Sequence, residues 1–249
     1  MELKDKKVVV VGFGRTGQAV CDFLLSQGAN ITVSDKKPES ELERVEIYRA
    51  KGINFDTGAN RLETLLEADL VVLSPGVPPL PEVLAAREKG IKVISEIELA
   101  FPYLRGKLIG ITGTNGKSTT TTLIYLMLKK SGFRVHLTGN IGHPLISFIN
   151  KVKPGHLVVT ELSSFQLEFT EKFRTDIAVF LNLSPNHLDW HQTFEAYLQA
   201  KKKLLDHCHP DDQVIINRDD PHLWAWRQEK KQELYAFSRK HSVPRGCYL

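Results

Sequence analysis

A glycine-rich segment near the middle of the chain carries a lysine and a serine in an order that is typical of phosphate binding. Residues 110–120 read GITGTNGKSTT. Glycines let a backbone close around an anion with its N–H groups turned inward. Lys117 would reach the terminal phosphates of a nucleotide, and the Ser118 hydroxyl would bind Mg²⁺. The strict pattern needs a glycine where Ile111 stands, so a tight turn with an exposed lysine is the alternative interpretation.

The neighbouring residues predict the elements that would position this segment. Residues 108–111 have the composition of a short buried strand, and Leu123, Leu126, Met127 and Lys130 recur at helical spacing after it. A helix that begins at such a loop presents its positive end to a bound anion. We therefore expect a strand, a phosphate loop and a helix, in that order.

A second glycine turn lies near the start of the chain. Residues 12–17, GFGRTG, separate an apolar strand at 8–11 from a helix, and a second strand at 31–34 ends at Asp35. A βαβ unit with an acid at the tip of its second strand is typical of dinucleotide sites, and NAD is the simplest interpretation. The glycines indicate a turn that accepts phosphate, but they do not define which nucleotide binds there.

The loop at residues 74–81, SPGVPPLP, follows an apolar strand at 70–73. Four prolines within eight residues exclude a helix or an interior strand. A rigid loop at the carboxyl end of a parallel strand is a common place for a ligand, although a plain connector is equally compatible with these residues. A short strand at 92–94 completes a small doubly wound domain, which we predict to span residues 1–95, with a second domain at 96–249.

Charged and histidine side chains follow further predicted strands in the second domain. Glu161 follows an apolar strand at 157–160, and an acid in that position is the usual second anchor for Mg²⁺ beside a phosphate loop. An ordinary strand-end carboxylate is the alternative. His187 and His191 are spaced i, i+4, but no glutamate lies between them and no cysteine lies near, so the pattern does not favour zinc.

One lysine of the run at 201–203 has an unusual position on its predicted helix. At about 100° per residue Lys201 lies in the middle of an apolar stripe, whereas Lys202 and Lys203 point away from it, into solvent. The stripe consists of Phe194, Tyr197, Leu198, Leu204 and Leu205. Either Lys201 extends its ammonium group to water, or its buried amine loses a proton and reacts with CO₂ to form a carbamate that binds metal.

The remaining predicted strands lie at 134–138, 176–181, 214–217 and 234–237, and the last residues, 246–249, carry no signal of a terminating element. A net charge of +4 is too mild to indicate nucleic acid. The chain shows no signal peptide and no apolar run that could span a membrane. Three distant cysteines predict no disulfide framework and favour a reducing cytoplasm.

Several motifs together resemble those of the Mur ligases. They are TGTNGKST at 112–119, GNIG at 139–142, ELSSFQLE at 161–168 and NHLD at 186–189, in that order. In that family the missing phosphate-loop glycine is normal. GFGRTG at 12–17 and SPGVP at 74–78 resemble the branch that adds D-glutamate to UDP-N-acetylmuramoyl-L-alanine.

The resemblance implies an α/β protein with a Rossmann-like N-terminal domain that binds UDP instead of NAD, and a mostly parallel central domain that binds ATP. It implies an ATP-dependent ligase of peptidoglycan precursor synthesis, working as a cytoplasmic monomer without nucleic acid or membrane partners. Mur ligases have a third domain that helps to bind the amino acid. We therefore expect this chain to be truncated, with an incomplete central domain, and to be inactive alone.

The resemblance also implies roles for individual residues. ATP would contact Gly113, Thr114, Asn115, Gly116, Lys117, Ser118 and Thr119. The UDP substrate would contact Gly14, Arg15, Thr16, Asp35, Ser74, Pro75, Gly76 and, at its muramoyl-alanine end, Asn140. One Mg²⁺ would bind Ser118 and Glu161, and a second would bind His187 and carbamylated Lys201. Lys117, Asn140, His187 and Lys201 would be the catalytic residues.

Other functions stay open at this point. An NAD-dependent oxidoreductase with an unrelated phosphate loop is the enzyme alternative, and a nucleotide-binding regulator without turnover is the non-enzyme alternative. Other Mur ligases and folylpolyglutamate synthase share the ATP loop.

Overall fold

The computed structural model describes residues 2–77, 80–228 and 233–249. The chain divides into two compact units, Met1–Pro102 and Tyr103–Leu249. Parallel sheets flanked by helices form both units, so the predicted α/β class is confirmed. Pro78 and Pro79, two of the four prolines in the predicted rigid loop, lie outside the described residues.

The described part of the first unit contains five parallel strands in the spatial order β3-β2-β1-β4-β5. The strands are β1 Lys7–Val11, β2 Asn30–Asp35, β3 Asn54–Thr57, β4 Leu70–Leu73 and β5 Val93–Ser95. The helices are α1 Arg15–Ser26, α2 Val45–Arg49, α3 Leu62–Leu66, α4 Pro81–Glu88 and α5 Glu96–Ala100, with a 3₁₀ turn at Glu39–Glu41. The central strand β1 is a continuous apolar run because both of its faces are covered.

The second unit has seven parallel strands among its described residues, in the order β12-β11-β10-β9-β6-β8-β7. They are β6 Lys107–Thr112, β7 Val135–Gly139, β8 Leu157–Glu161, β9 Ile177–Phe180, β10 Gln213–Asn217, β11 Glu233–Ser238 and β12 Gly246–Tyr248. The helices are α6 Lys117–Lys130, α7 Ser164–Glu168, α8 Leu188–His191, α9 Phe194–Asp206 and α10 Pro221–Trp226. Phe101–Tyr103 and Leu145–Phe148 form 3₁₀ turns.

Helix α6 exists as predicted, but the periodic residues that indicated it lie on its outer face. Leu123, Leu126 and Met127 are more than half exposed. The sheet-facing side of the helix instead carries Ile124, Tyr125 and Leu128, which pack on a buried cluster from β6, β8 and β9. Apolar spacing therefore identified the helix without identifying its buried face.

Two strands were missed by the sequence analysis. β3 is a half-buried edge strand of mixed polarity, so no apolar pattern marks it. The prediction that residues 246–249 add no element is wrong, because β12 pairs in parallel with β11. Every residue of β12 is exposed, and its position is set by backbone pairing, which has no apolar signature.

Among the described residues, no helix combines the length and the apolar character that crossing a bilayer requires.

The turn between β1 and α1 depends on close backbone approach at Gly17. A Cβ atom there would lie 1.9 Å from the Gly12 carbonyl oxygen, whereas a Cβ on Gly14 would meet nothing within 4 Å. We predict that Gly17→Ala lowers the free energy of opening of the first unit by about 2 kcal/mol or more. Hydrogen exchange of the β1 amides measures this loss.

Gly14→Ala is the matched control and should leave that exchange within about 0.5 kcal/mol of the wild-type value. Equal exchange in the two variants would contradict the steric argument.

Candidate functional site

The phosphate-type loop connects the end of β6 to the start of α6. Helix α6 begins at Lys117, and Gly116 precedes it with φ of 79°, in the left-handed region that favours glycine. The free N–H groups of the first turn therefore open directly onto the loop. Of the other predicted ATP residues, Gly113 and Thr114 are buried, and Asn115, Ser118 and Thr119 are exposed.

The loop is fastened to the segment that follows β9. The N–H of Thr114 donates to the Asn182 carbonyl at 2.8 Å. The Asn182 side chain makes a reciprocal pair with the backbone of Asn115, accepting at 2.8 Å and donating at 3.0 Å. These hydrogen bonds hold the backbone of the loop in a defined conformation, which reduces the ordering that binding must supply.

Lys117 lies against its own loop. Its Nζ donates to the Thr114 carbonyl at 2.8 Å. Burial lowers the pKa of Lys117, and the charge of Glu161 opposes that shift. The ammonium group is therefore held at the loop, where an anion would bind.

Glu161 is a buried carboxylate shared by two neutral donors. Its side chain is at the end of β8 and only 1% exposed. The Ser118 hydroxyl donates to one oxygen at 2.7 Å, and the Asn140 amide donates to the other at 2.8 Å. The structure thus brings together Lys117, Ser118, Asn140 and Glu161 from three predicted motifs.

The oxygen atoms of Ser118 and Glu161 are suitable ligands for a hard cation. Hydroxyl and carboxylate oxygens are the ligands that Mg²⁺ prefers, and Ser118 and Glu161 supply one of each in direct contact. In the described part of the chain, no group of three or more His, Cys, Asp and Glu side chains could hold a metal ion. A cation here would therefore need further oxygen ligands from water or from a nucleotide.

Lys201 is buried in the middle of α9, so of the two alternatives for this lysine the ammonium group extended to water is the one that the structure contradicts. It is 1% exposed, and its Nζ donates to the Thr112 hydroxyl at 3.3 Å. Burial, followed by the nearby positive charge of Lys117, lowers the pKa of Lys201 to about 7, while Glu161 opposes the shift. Burial therefore favours the neutral amine, which is the form that reacts with CO₂.

The prediction that Lys203 points into solvent is wrong. The side chain is half-buried, and its Nζ donates to the carbonyl groups of Glu168, the last residue of α7, and of Thr170, just after that helix. A long lysine can lie along the protein surface and place its charge on free helix carbonyls. Lys202 is also half-buried.

The two histidines near α8 differ in their surroundings. His187 is exposed, has a left-handed backbone and packs its ring on Phe165 with 4.8 Å between centroids. His191 is 6% exposed, and its Nε2 lies 2.9 Å from the Ser164 hydroxyl. The contacts described for His187 do not join it to Glu161 or Lys201, so the second predicted metal site is not assembled by direct contacts.

The first unit contains a cavity of about 600 Å³ at the carboxyl ends of β1, β2 and β4. The residues predicted to bind the UDP substrate there all line it: Gly14, Arg15, Thr16, Asp35, Ser74, Pro75 and Gly76. The start of α1 opens into the cavity, which suits an anionic ligand. Sequence reasoning missed other lining residues, namely Gln18, Lys36, Lys37, Glu41, Glu43 and Asn60.

Asp35 is engaged by backbone groups within this cavity. One carboxylate oxygen accepts the Phe13 N–H at 2.8 Å, and the other accepts the Lys37 N–H at 3.0 Å. The carboxylate therefore fixes the loop after β2 against the glycine turn. In a dinucleotide site the same acid would bind a ribose hydroxyl.

Family models match nearly the whole chain. The Mur ligase middle domain matches residues 111–244, and the N-terminal domain of the MurD-like Mur ligases matches residues 6–95. The chain belongs to the Mur ligase family. The resemblance drawn from its motifs is confirmed.

Curated relatives include the UDP-N-acetylmuramoylalanine–D-glutamate ligases of Koribacter versatilis and Thermoanaerobacter pseudethanolicus. They are 42% and 40% identical to this chain, in alignments of 251 residues that include 100% of the chain. The chain spans about 55% of the length of these Mur ligases.

Two solved ligase structures share the fold. The UDP-N-acetylmuramate:L-alanyl-gamma-D-glutamyl-meso-diaminopimelate ligase of Neisseria meningitides matches with a TM-score of 0.59 and 16% identity, over 96% of this chain and 82% of its own. The murein peptide ligase of Psychrobacter arcticus matches with a TM-score of 0.54 and 16% identity, over 96% and 56%. At these identities the likeness concerns the fold alone.

The burial of His191 makes the stability of the second unit depend on pH. Burial, the charge of Lys201 and then that of His187 lower its pKa to about 4, with Asp189 opposing. Between pH 4 and the ordinary value of 6.5 the unfolded chain binds more protons at this residue than the folded chain does. Stability of the second unit should therefore fall by about 2–3 kcal/mol as pH drops through that window.

Urea unfolding followed by tryptophan fluorescence measures this loss, because all three tryptophans lie in the second unit. His191→Gln keeps a polar partner for Ser164 but does not titrate, so its stability should depend less on pH. Parallel pH profiles for the two proteins would contradict the assignment.

Proposed function

We propose that this chain supplies the UDP-substrate site and the ATP site of a ligase that adds D-glutamate to UDP-N-acetylmuramoyl-L-alanine. Residues 1–95 would hold the UDP substrate, and residues 96–249 would hold ATP. The observation that carries the proposal is the contact of Ser118 and Asn140 with buried Glu161, beside Lys117. The names of the curated relatives support the choice of D-glutamate.

In this proposal the loop from Gly113 to Thr119 binds the phosphates of ATP. Lys117 would move its ammonium group from the Thr114 carbonyl to the phosphates, which are the stronger acceptors. Ser118 and Glu161 would hold one Mg²⁺. When bound, that ion supplies positive charge that offsets the crowded phosphate oxygens.

The second Mg²⁺ of the proposal requires a change at Lys201. A lysine amine is not an oxygen ligand, whereas its carbamate is a carboxylate-like one. The depressed pKa of Lys201 and its burial favour the neutral amine that reacts with CO₂. His187 would join the carbamate as the second protein ligand.

The reaction proposed is the activation of a carboxylate followed by amide formation. The γ-phosphoryl group of ATP passes to the alanine carboxylate, which gives an acyl phosphate and ADP. The amine of D-glutamate attacks the acyl carbon, and inorganic phosphate leaves from the tetrahedral intermediate. The protein supplies charge and alignment in this scheme, and none of its side chains needs to act as a nucleophile.

The substrates proposed are small molecules, and a cytoplasmic monomer without nucleic acid or membrane partners suits them. A net charge of +4 is compatible with that choice. In the first unit, the MurD-like family match favours UDP over NAD.

The proposal predicts which nucleotide each unit binds. UDP-N-acetylmuramoyl-L-alanine should bind the chain at micromolar concentration in calorimetry, and NAD should not. Lys117→Ala should leave this binding unchanged while weakening the binding of Mg·ATP at least tenfold, because a charge-assisted contact to phosphate is lost. Binding of NAD without binding of the UDP substrate would instead support an oxidoreductase.

Carbamylation of Lys201 can be tested without turnover. In ¹³C-bicarbonate with Mg·ATP, the wild-type chain should show a carbamate carbon signal that Lys201→Ala lacks. Lys153→Ala is the matched control, since Lys153 is an exposed lysine of the same unit, and it should keep the signal. A signal that survives Lys201→Ala, or that is absent from the wild type, would contradict the carbamylation of Lys201.

A further inference from the structure

Tyr197 is a large buried side chain between the ATP loop and Lys201. It lies on α9, one helical turn before Lys201, and is 1% exposed. None of the motifs that point to ATP, UDP or metal includes it. Its two ends, hydroxyl and ring, make different contacts.

The hydroxyl of Tyr197 contacts the phosphate loop. It lies 2.9 Å from the Thr114 hydroxyl. The same Thr114 oxygen accepts the Ser184 N–H at 3.0 Å and lies 3.2 Å from the Ser184 carbonyl. The Thr114 side chain therefore joins three segments of the second unit, namely the loop, the segment after β9 and α9.

The ring of Tyr197 contacts Lys201. The Lys201 Nζ lies 4.9 Å from the ring centroid, so the ring packs directly against the head group of this lysine. On another side the ring meets His191 in an edge-on arrangement, with centroids 5.5 Å apart. The ring is therefore confined on two sides, and its hydroxyl can reach Thr114 in a defined direction.

We propose that Tyr197 is a positioning residue that holds the ATP loop and the Lys201 head group at a fixed separation. The inference rests on the proposed function, since it assigns both neighbours to one reaction site. The hydroxyl holds the loop, because only the hydroxyl can form a hydrogen bond with Thr114. The ring limits the position of the Lys201 head group. One rigid side chain thereby sets the distance between the phosphate loop and α9. Thr114 and Tyr197, which make this contact, are 83 residues apart in the sequence.

The first test is hydrogen exchange of the loop in the 249-residue chain without nucleotide. Tyr197→Phe keeps the ring and removes the hydroxyl. Exchange of the Thr114, Asn115 and Ser184 amides should become about three- to tenfold faster, as expected for loss of one hydrogen bond. The β6 and β8 amides should be unaffected.

Tyr48→Phe is the matched control. Tyr48 is a fully buried tyrosine of the first unit, whose hydroxyl lies 3.0 Å from an Asp22 carboxylate oxygen. Its substitution should leave the loop amides unchanged. The proposal is overturned if Tyr197→Phe leaves loop exchange within twofold of wild type, or if it accelerates the β6 and β8 amides equally, which is what a purely structural role predicts.

The second test is a double-mutant cycle on Mg·ATP affinity. Tyr197→Phe and Thr114→Val should each weaken binding, and the double variant should be no weaker than Thr114→Val alone, because both changes remove one contact. Fully additive losses would overturn the proposal. If the wild-type chain binds no ATP, the proposed function fails, whereas the exchange experiment still decides whether Tyr197 holds the loop.

Discussion

The buried carboxylate of Glu161 is the charge on which the geometry of the second unit depends. A buried ion is costly unless it is paired or hydrogen-bonded. Here a hydroxyl from α6 and an amide from the loop after β7 supply those bonds, so two segments converge on one side chain. Because both donors are neutral, they do not cancel the negative charge of Glu161, and its field reaches the nearby lysines. Its field opposes the lowering of the pKa of both Lys117 and Lys201. The Glu161 carboxylate thus limits how far burial lowers the pKa of the two lysines.

Sequence reasoning was effective where the physics is periodic or local. Parallel strands covered on both faces are apolar runs, and ligand-binding residues follow their carboxyl ends. That regularity predicted where Lys117 and Glu161 would meet. Lys201 was identifiable because α9 has one apolar face and a charge within that face is conspicuous. The same argument was less informative for α6, whose outer face is also apolar, so periodicity could not distinguish the side towards the sheet.

Contacts between distant segments could not be predicted from the sequence, for a different reason. Asn182 and Asn115 form a reciprocal pair, and Tyr197 meets Thr114, but each pairing depends on how separate loops are placed by the sheet. No spacing within the chain encodes such a placement. Lys203 is a similar case, since its acceptors are the carbonyl groups of Glu168, at the end of α7, and of Thr170, which follows that helix. The strand at Gly246–Tyr248 is set by backbone pairing to its neighbour, and backbone groups are common to all residues. The metal and substrate roles of the site residues stay predictions.

The two glycine turns show why a turn pattern alone does not define a nucleotide. Both place the start of a helix at the end of a central strand, and both offer backbone N–H groups to an anion. Around the first, the acid that would bind a ribose is bonded to the Phe13 and Lys37 N–H groups and fixes a loop. Around the second, Lys117 and Glu161 add opposite charges within one small volume, which is the arrangement that a metal-bound polyphosphate requires. Specificity therefore lies in the side chains that each sheet edge adds to a common turn, and these become visible only when the strands are assembled.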